Sequence, residues 1–460
     1  MRKWLVIAIA IAVAGLAGAG IHFRPDRAIR LATGFVAHNV CSKTFVSGLD
    51  PETAFTEFSD RAGIRRLRYV LQIQVDRSAR TVDASTLGLF ASRAAFHDGL
   101  GCVELLGPKE PYLLKNDVEA LKAKTSPLLP EIAGPALVEP SDAALRVALD
   151  HAFEEPATPP FRRTKAVVVV HNGKVIAERY AAGVGIETPL PGFSMTKSMV
   201  NALIGILTQQ GLVTPSMPAP IPEWRGADDP RREIEVEHLM RMTSGLDLDE
   251  TNSGFGGSDR MFLANDMSAY AVNAKMIVPL GQRWHYSSAT TQILARIVRD
   301  AVGGPEQTLA FAWRELFNPL GMHSVTLEFD GVGTLQGATN MLASARDWAK
   351  FGLLYLNDGV VGEKRILHED WVDFSAAATL DTDYAAGFWT NRSEHPNAKG
   401  RVRLGMPRDA FFASGDLGQR VVIMPTQRVV VIRLGDSVDP TGDIRGLARL
   451  VKKVIAAVQP

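Results

Sequence analysis

The stretch that most constrains the fold is a predicted helix start, Ser194-Met195-Thr196-Lys197, which is followed by an apolar run over residues 200–207. Because that run is almost wholly apolar, the sequence predicts a helix buried deep in a hydrophobic core. Ser194 and Lys197 are three positions apart, so a helix places them on one face, one turn from each other. The chain is therefore expected to be organised around the start of this helix.

A serine and a lysine at this spacing suit nucleophilic catalysis. A serine hydroxyl attacks a carbonyl only when a neighbouring group takes its proton. A lysine does this when it is neutral, and burial at the positive end of a helix dipole lowers its pKa. The N–H groups of the same turn can also stabilise an oxyanion. Because S-x-x-K also arises by chance, a helix-capping Ser194 beside a solvated Lys197 is the alternative interpretation.

Composition excludes some classes of function. The 460 residues include 50 Lys plus Arg and 50 Asp plus Glu, without a strongly basic segment. Nucleic acid is therefore not an expected partner. The spacings His-Glu-x-x-His and paired Cys-x-x-Cys are also absent from the sequence, so no metal site is predicted.

The N-terminal end differs from the rest, because Arg2-Lys3 precede an apolar run over residues 4–21. This length fits either a long signal peptide or one membrane-spanning helix. Residues 1–23 are therefore predicted to direct export to the periplasmic side, and to remain as a membrane anchor or be cleaved. In an exported chain the two cysteines, Cys41 and Cys102, are expected to form a disulfide; two free buried thiols are the alternative.

The remainder divides into three predicted parts. Residues 24–125 have the pattern of a small mixed accessory region without a chemical signature. Residues 126–140 are rich in proline and predict a linker. Residues 141–460 form the predicted main domain.

Two hairpins and two terminal helices outline the main domain. Asn172-Gly173, between two β-branched runs, is a strong hairpin signal, and a second hairpin is predicted over residues 420–432. Amphipathic helices are predicted over residues 141–153 and 443–458. This order predicts an α+β fold, in which an antiparallel β-sheet flanked by N- and C-terminal helices faces a helical subdomain.

Two more stretches contain candidate site residues. Tyr286-Ser287-Ser288 precedes a predicted helix, and a phenol beside a lysine can relay a proton to a leaving group. Ser414-Gly415-Asp416 precedes the last hairpin, where a glycine lets backbone N–H groups approach a substrate. A structural tyrosine and a simple β-turn are the respective alternatives.

Together these motifs resemble those of the serine β-lactamase and DD-peptidase superfamily, over roughly residues 141–458. Ser194-Met195-Thr196-Lys197 matches the family's S-x-x-K, and Tyr286-Ser287-Ser288 matches its Y-x-N. Residues 238–246 and 344–352 are similar to L-L-x-M-T-S-G-L and S-A-R-D-L-A-R-F-G. Both of these motifs are typical of the class C-like branch, which the chain resembles most and which includes family VIII esterases and 6-aminohexanoate-dimer hydrolases.

The resemblance implies a β-lactamase/transpeptidase-like fold and a serine hydrolase that forms an acyl-enzyme on a small ester or amide, without a cofactor. Ser194 is then the nucleophile, Lys197 accepts its proton and Tyr286 relays protons. Whether Lys197 or Tyr286 is the base for acylation stays open. The residues expected to hold the oxyanion or position the substrate are Ser194, Ser288, Ser414, Gly415 and Asp416.

Two residues depart from the family pattern. Ser288 stands where the family usually has asparagine, and Ala413 stands where lactamases have a lysine that helps to hold the substrate carboxylate. The alanine favours an ester or amide over a penicillin-type substrate. The alternative function is a non-catalytic or weakly active penicillin-binding-like envelope protein that binds peptidoglycan or a partner.

Overall fold

The structure is a computed structural model that describes residues 24–122, 126–251 and 255–458. Its helices are α1 Pro25–Cys41, α2 Pro51–Ser59, α3 Val118–Lys122, α4 Ala143–Phe153, α5 Thr196–Gln209, α6 Val236–Met240, α7 Gly257–Met261, α8 Met267–Val272, α9 Ser288–Val302, α10 Pro305–Ala312, α11 Asn318–Leu320, α12 Ala345–Leu356, α13 Trp371–Ala376, α14 Pro396–Arg403 and α15 Ile444–Val458. Its strands are β1 Leu71–Asp76, β2 Thr81–Thr86, β3 Leu89–His97, β4 Gly101–Glu104, β5 Thr164–His171, β6 Lys174–Tyr180, β7 Leu190–Pro191, β8 Thr326–Leu327, β9 Met341–Ala343, β10 Val360–Val361, β11 Lys364–Arg365, β12 Trp389–Thr390, β13 Phe411–Gly415, β14 Gln419–Met424 and β15 Val429–Gly435.

The centre of the main domain is a six-stranded antiparallel sheet, in the order β12-β13-β14-β15-β5-β6. Helices α4 and α15 cover one face of it, and α12 packs on the other face. Helix α5 lies in the larger core on that second side, where all its residues from Thr196 to Leu207 are buried. The predicted α+β fold, both hairpins and the two terminal helices are confirmed.

Residues 24–104 form a smaller unit, which we call the N-terminal region. Its four-stranded antiparallel sheet has the order β1-β2-β3-β4, and α1 packs across it. Cys41 at the end of α1 and Cys102 in β4 are joined by a disulfide inside this core. The same core includes Leu417 from the main domain. The N-terminal region therefore packs directly on the main domain.

Buried charges also join the two units. His38 in α1 lies 2.7 Å from Glu328 and 3.6 Å from Glu104, and Lys43 donates to Asp436 at 2.5 Å. Burial lowers the pKa of His38, but the two carboxylates outweigh it and raise the pKa to about 10. Separating the units would break the His38–Glu328 and Lys43–Asp436 pairs, and the cost of leaving such charges without these partners favours the docked arrangement.

Residues 126–140 contain no helix or strand, but they are hydrogen-bonded to strand β6. Val175 donates to the carbonyl of Ile132 at 2.9 Å, and Glu178 donates to that of Val138 at 3.1 Å. The segment therefore follows the edge of the sheet, and the domain boundary placed there stays a prediction.

Within the described ranges, no helix is long and apolar enough to cross a bilayer. The predicted signal peptide or anchor, residues 1–23, lies outside those ranges. Its role therefore stays a prediction.

Replacing both Cys41 and Cys102 by alanine should lower the free energy of unfolding of the N-terminal region. The disulfide spans a sequence separation of 61 residues, and closing a loop of that size stabilises by about 4 kcal/mol. Because residues 24–104 contain no tryptophan, hydrogen exchange of peptides from this region at increasing urea concentration would measure the loss, with the reduced unmodified protein as the matched control. Two free thiols per chain in the denatured, unreduced protein would contradict the pairing.

Candidate active site

Ser194 lies in the tight turn between β7 and α5. One 3-10 turn covers Phe193–Met195, and the Gly192 N–H donates to the carbonyl of Met341 at 2.9 Å. A Cβ at Gly192 would lie 2.6 Å from the ring of Trp348, so only glycine fits there. Phe193 has a φ of 47°, which is rare for a bulky residue. The turn therefore holds Ser194 on a strained backbone, as is common at functional sites.

Lys197 is in the first turn of α5, with 3% of its surface exposed. Its Nζ donates to Ser194 Oγ at 2.9 Å, to Ser288 Oγ at 3.1 Å and to the Ala338 carbonyl at 3.0 Å. None of these three acceptors carries a charge. Burial lowers the pKa of Lys197 to about 8, and the nearby Glu250 carboxylate limits the fall. A neutral amine is thus accessible just above neutral pH, within reach of the serine hydroxyl.

Tyr286 lies over the amine, with its ring centroid 4.8 Å from Lys197 Nζ. The ring centroids of Tyr384 and Trp389 each lie 5.8 Å from that of Tyr286 and hold it in place. Burial raises the pKa of the Tyr286 phenol well above its ordinary value of 10, and a hydrogen bond with Ser194 acts in the opposite direction. The phenol is therefore protonated near neutral pH and suited to donate a proton.

The end of β13 lies beside the turn that contains Ser194. A Cβ at Gly415 would lie 2.1 Å from the carbonyl oxygen of Gly192, so glycine is required for this close approach. Ser414, Gly415 and Asp416 line the same cavity as Ser194. The structure thus brings this stretch to the nucleophile turn, in a place where backbone N–H groups can face a developing oxyanion.

Ser288 lies where the sequence comparison expects it, at the start of α9. Its hydroxyl accepts from Lys197, and its backbone N–H donates to the Glu250 carboxylate at 2.7 Å. Glu250 also lines the cavity. Sequence reasoning missed Glu250, because it lies in an acidic loop that matches no motif.

Ala413 is fully buried in the main core, where it pairs with Val421 of the neighbouring strand. A lysine at this position would have to leave that core to reach the cavity.

Arg61, also missed, enters the site from the N-terminal region and pairs with the carboxylate of Asp416. Desolvation raises the pKa of Asp416, but the Arg61 guanidinium outweighs it and holds that pKa below its usual value. The pair therefore adds no net charge to the cavity. No signal in the sequence distinguishes Arg61 from its neighbours Arg65 and Arg66.

One cavity of about 770 Å³ is lined by the polar groups of the site, namely Arg61, Ser194, Glu250, Tyr286, Ser288, Ser414 and Asp416. Lys197 is buried beside this lining, in contact with Ser194 Oγ. A cavity of this size accommodates a small organic molecule. In the part of the chain that the structure describes, no three His, Cys, Asp or Glu side chains are grouped so as to hold a metal ion.

The beta-lactamase family model matches residues 158–455. A 6-aminohexanoate-dimer hydrolase from Paenarthrobacter ureafaciens is 24% identical over 295 residues, which is 60% of this chain and 74% of that protein. The solved structure of a penicillin-binding protein homolog from Caulobacter crescentus has a TM-score of 0.54 at 19% identity and covers 70% of this chain and 99% of its own. A family VIII carboxylesterase has a TM-score of 0.52 at 16% identity, with coverage of 70% and 99%. At these identities the two structures show a common fold.

The activity of this site should rise with pH through an apparent pKa near 8. Only the neutral amine of Lys197 can accept a proton, and burial lowers its pKa to about 8. The measurement is kcat/KM for p-nitrophenyl butyrate against pH, corrected for spontaneous hydrolysis. An ascending limb near the ordinary lysine value of about 10.4 would contradict the assignment.

Glu250→Gln offers an internal comparison. The amide keeps an acceptor for the Ser288 N–H but removes the charge that favours the protonated amine of Lys197. The ascending limb of the plot of kcat/KM against pH should therefore move to lower pH. Glu369→Gln, at an exposed carboxylate, is the matched control and should leave the limb unchanged. Equal behaviour of the two variants would show that Glu250 does not act on Lys197.

Proposed function

The chain belongs to the beta-lactamase family, and on that premise we propose that it is a serine hydrolase that cleaves a small ester or amide through an acyl-enzyme. One observation carries the proposal: the buried amine of Lys197 donates to Ser194 Oγ at 2.9 Å. A base in contact with a hydroxyl on a strained turn is the arrangement that nucleophilic catalysis requires.

In the proposed first step, Ser194 Oγ forms a bond to the substrate carbonyl carbon while its proton passes to neutral Lys197. The carbonyl electron pair moves to oxygen, and the backbone N–H groups of Ser194 and Asp416 stabilise that oxyanion. The pKa directions favour Lys197 over Tyr286 as the base, since burial lowers the pKa of the amine and raises that of the phenol.

In the second half of acylation, the oxyanion collapses and the bond to the leaving group breaks. Tyr286 gives its proton to the leaving oxygen or nitrogen, which departs as an alcohol or amine, and regains a proton from the Lys197 ammonium. Water then attacks the carbonyl carbon of the acyl-serine and gives one proton to Lys197. The bond from that carbon to Ser194 Oγ breaks, Oγ takes the proton back, and the carboxylic acid is released.

The proposed substrate is a small neutral ester or amide. A penicillin-type carboxylate needs a cationic or hydrogen-bonding partner in the cavity. The lysine that lactamases have at position 413 is here an alanine buried in the core, and Arg61 is already paired with Asp416. A carboxylate would therefore have to bind at the other arginines that line the cavity, Arg65, Arg66 and Arg420. A neutral acyl group makes no such demand.

The proposal extends to location. The disulfide between Cys41 and Cys102 supports an oxidising compartment outside the cytosol. We therefore propose that residues 1–23 direct export to the periplasmic side, as a cleaved signal or as a membrane anchor.

Ser194→Ala should lower kcat for p-nitrophenyl acetate by on the order of a thousandfold or more, because no other group replaces the attacking oxygen. Steady-state kinetics with burst analysis would measure the loss. Ser141→Ala, at an exposed serine, is the matched control and should retain full activity. A Ser194→Ala protein that keeps most of its activity would exclude this nucleophile.

A further inference from the structure

The N-terminal region lies outside residues 158–455, the part matched by the family model, yet it forms one wall of the cavity that contains Ser194. The side chains that α1 contributes recur every three or four positions, which places them on one face of the helix. Those side chains are Ala28, Leu31, Ala32, Phe35, His38 and Asn39.

This face changes character along the helix. The stretch from Ala28 to Phe35 is apolar where it meets the cavity, and Phe262 of the main domain continues it, with its ring 5.0 Å from that of Phe35. Beyond Phe35 the face becomes polar, because His38 is paired with Glu328. The apolar part of the wall is therefore limited, to about 10 Å along the helix axis.

Three contacts fix this wall relative to the nucleophile. Phe58 stacks on Phe193, the residue before Ser194, with ring centroids 6.4 Å apart and planes 6° apart. Arg61 pairs with Asp416. Leu417 is buried in the core of the N-terminal region. The apolar face of α1 thus keeps a defined position beside the reacting serine.

We propose that this face of α1 binds an apolar chain of the substrate, so that the N-terminal region selects which esters or amides are cleaved. The inference rests on the proposed serine hydrolase function. The cavity of about 770 Å³ is far larger than an acetyl group needs, and each further methylene buried on an apolar wall improves kcat/KM. The apolar part of the wall is only about 10 Å long, so chains of medium length are preferred.

The test places larger side chains on the apolar face of α1 and measures how the enzyme's preference for substrate chain length changes. Ala32→Phe and Ala28→Phe place a ring on the apolar face, and Ala28, at the partly exposed end, tolerates the larger side chain. Two ratios of kcat/KM are measured. The first compares p-nitrophenyl octanoate with p-nitrophenyl acetate and varies the acyl chain, and the second compares octyl acetate with ethyl acetate and varies the alcohol chain. Each ratio comes from one enzyme sample, so the fraction of folded protein cancels.

Ile29→Phe is the matched control, because Ile29 is on the same helix and partly buried but does not line the cavity. We expect both filling variants to lower one of the two ratios about tenfold or more, and Ile29→Phe to leave both unchanged. A fall in the octanoate-to-acetate ratio would show that the acyl chain lies on the wall, and a fall in the octyl-to-ethyl acetate ratio would show that the alcohol chain does. Unchanged ratios in Ala28→Phe and Ala32→Phe, or an equal change in Ile29→Phe, would overturn the inference while Ser194-dependent acetate hydrolysis persists. Loss of Ser194 dependence in the unmodified protein would instead overturn the proposed function.

Discussion

The rest of the site depends on one contact, in which a buried lysine amine donates to a serine hydroxyl with no carboxylate among its acceptors. Removing a charged amine from water is costly, so burial shifts Lys197 towards its neutral form. The position requires a helix that is buried on all sides, and α5 meets that requirement. Two close approaches then fix the hydroxyl: Gly192 against Trp348, and Gly415 against the Gly192 carbonyl.

The strain at the site is distributed on both sides of the proposed oxyanion position. Phe193 and Leu417 both have positive φ values, 47° and 55°, and such conformations persist only when the surrounding packing determines them. Both residues pack against the core of the N-terminal region. That region therefore stabilises the backbone at Phe193 and Leu417 and also forms one wall of the cavity. Its buried ion pairs with the main domain keep it in this position.

The sequence alone predicts those features that depend on residues close to one another in the chain. Asn172-Gly173 determines the first hairpin, since both residues adopt the positive φ values that its turn requires. The spacing of Ser194 and Lys197 predicts their contact because a helix turn relates them. Arg61 and Asp416 are 355 positions apart, and no periodicity connects them. The burial of Ala413 likewise depends on strand pairing, which a short motif does not reveal.

The measurement that tests the account most directly is the mapping of a covalent adduct. The protein is treated at pH 8 with a fluorophosphonate probe, digested with trypsin and analysed by mass spectrometry. The account predicts one adduct per chain, on the tryptic peptide of residues 180–197, in which Ser194 is the only serine. An adduct on any other peptide would contradict Ser194 as the nucleophile. The absence of any adduct in a protein with its disulfide intact would contradict a serine hydrolase and would favour a binding protein built on the same fold.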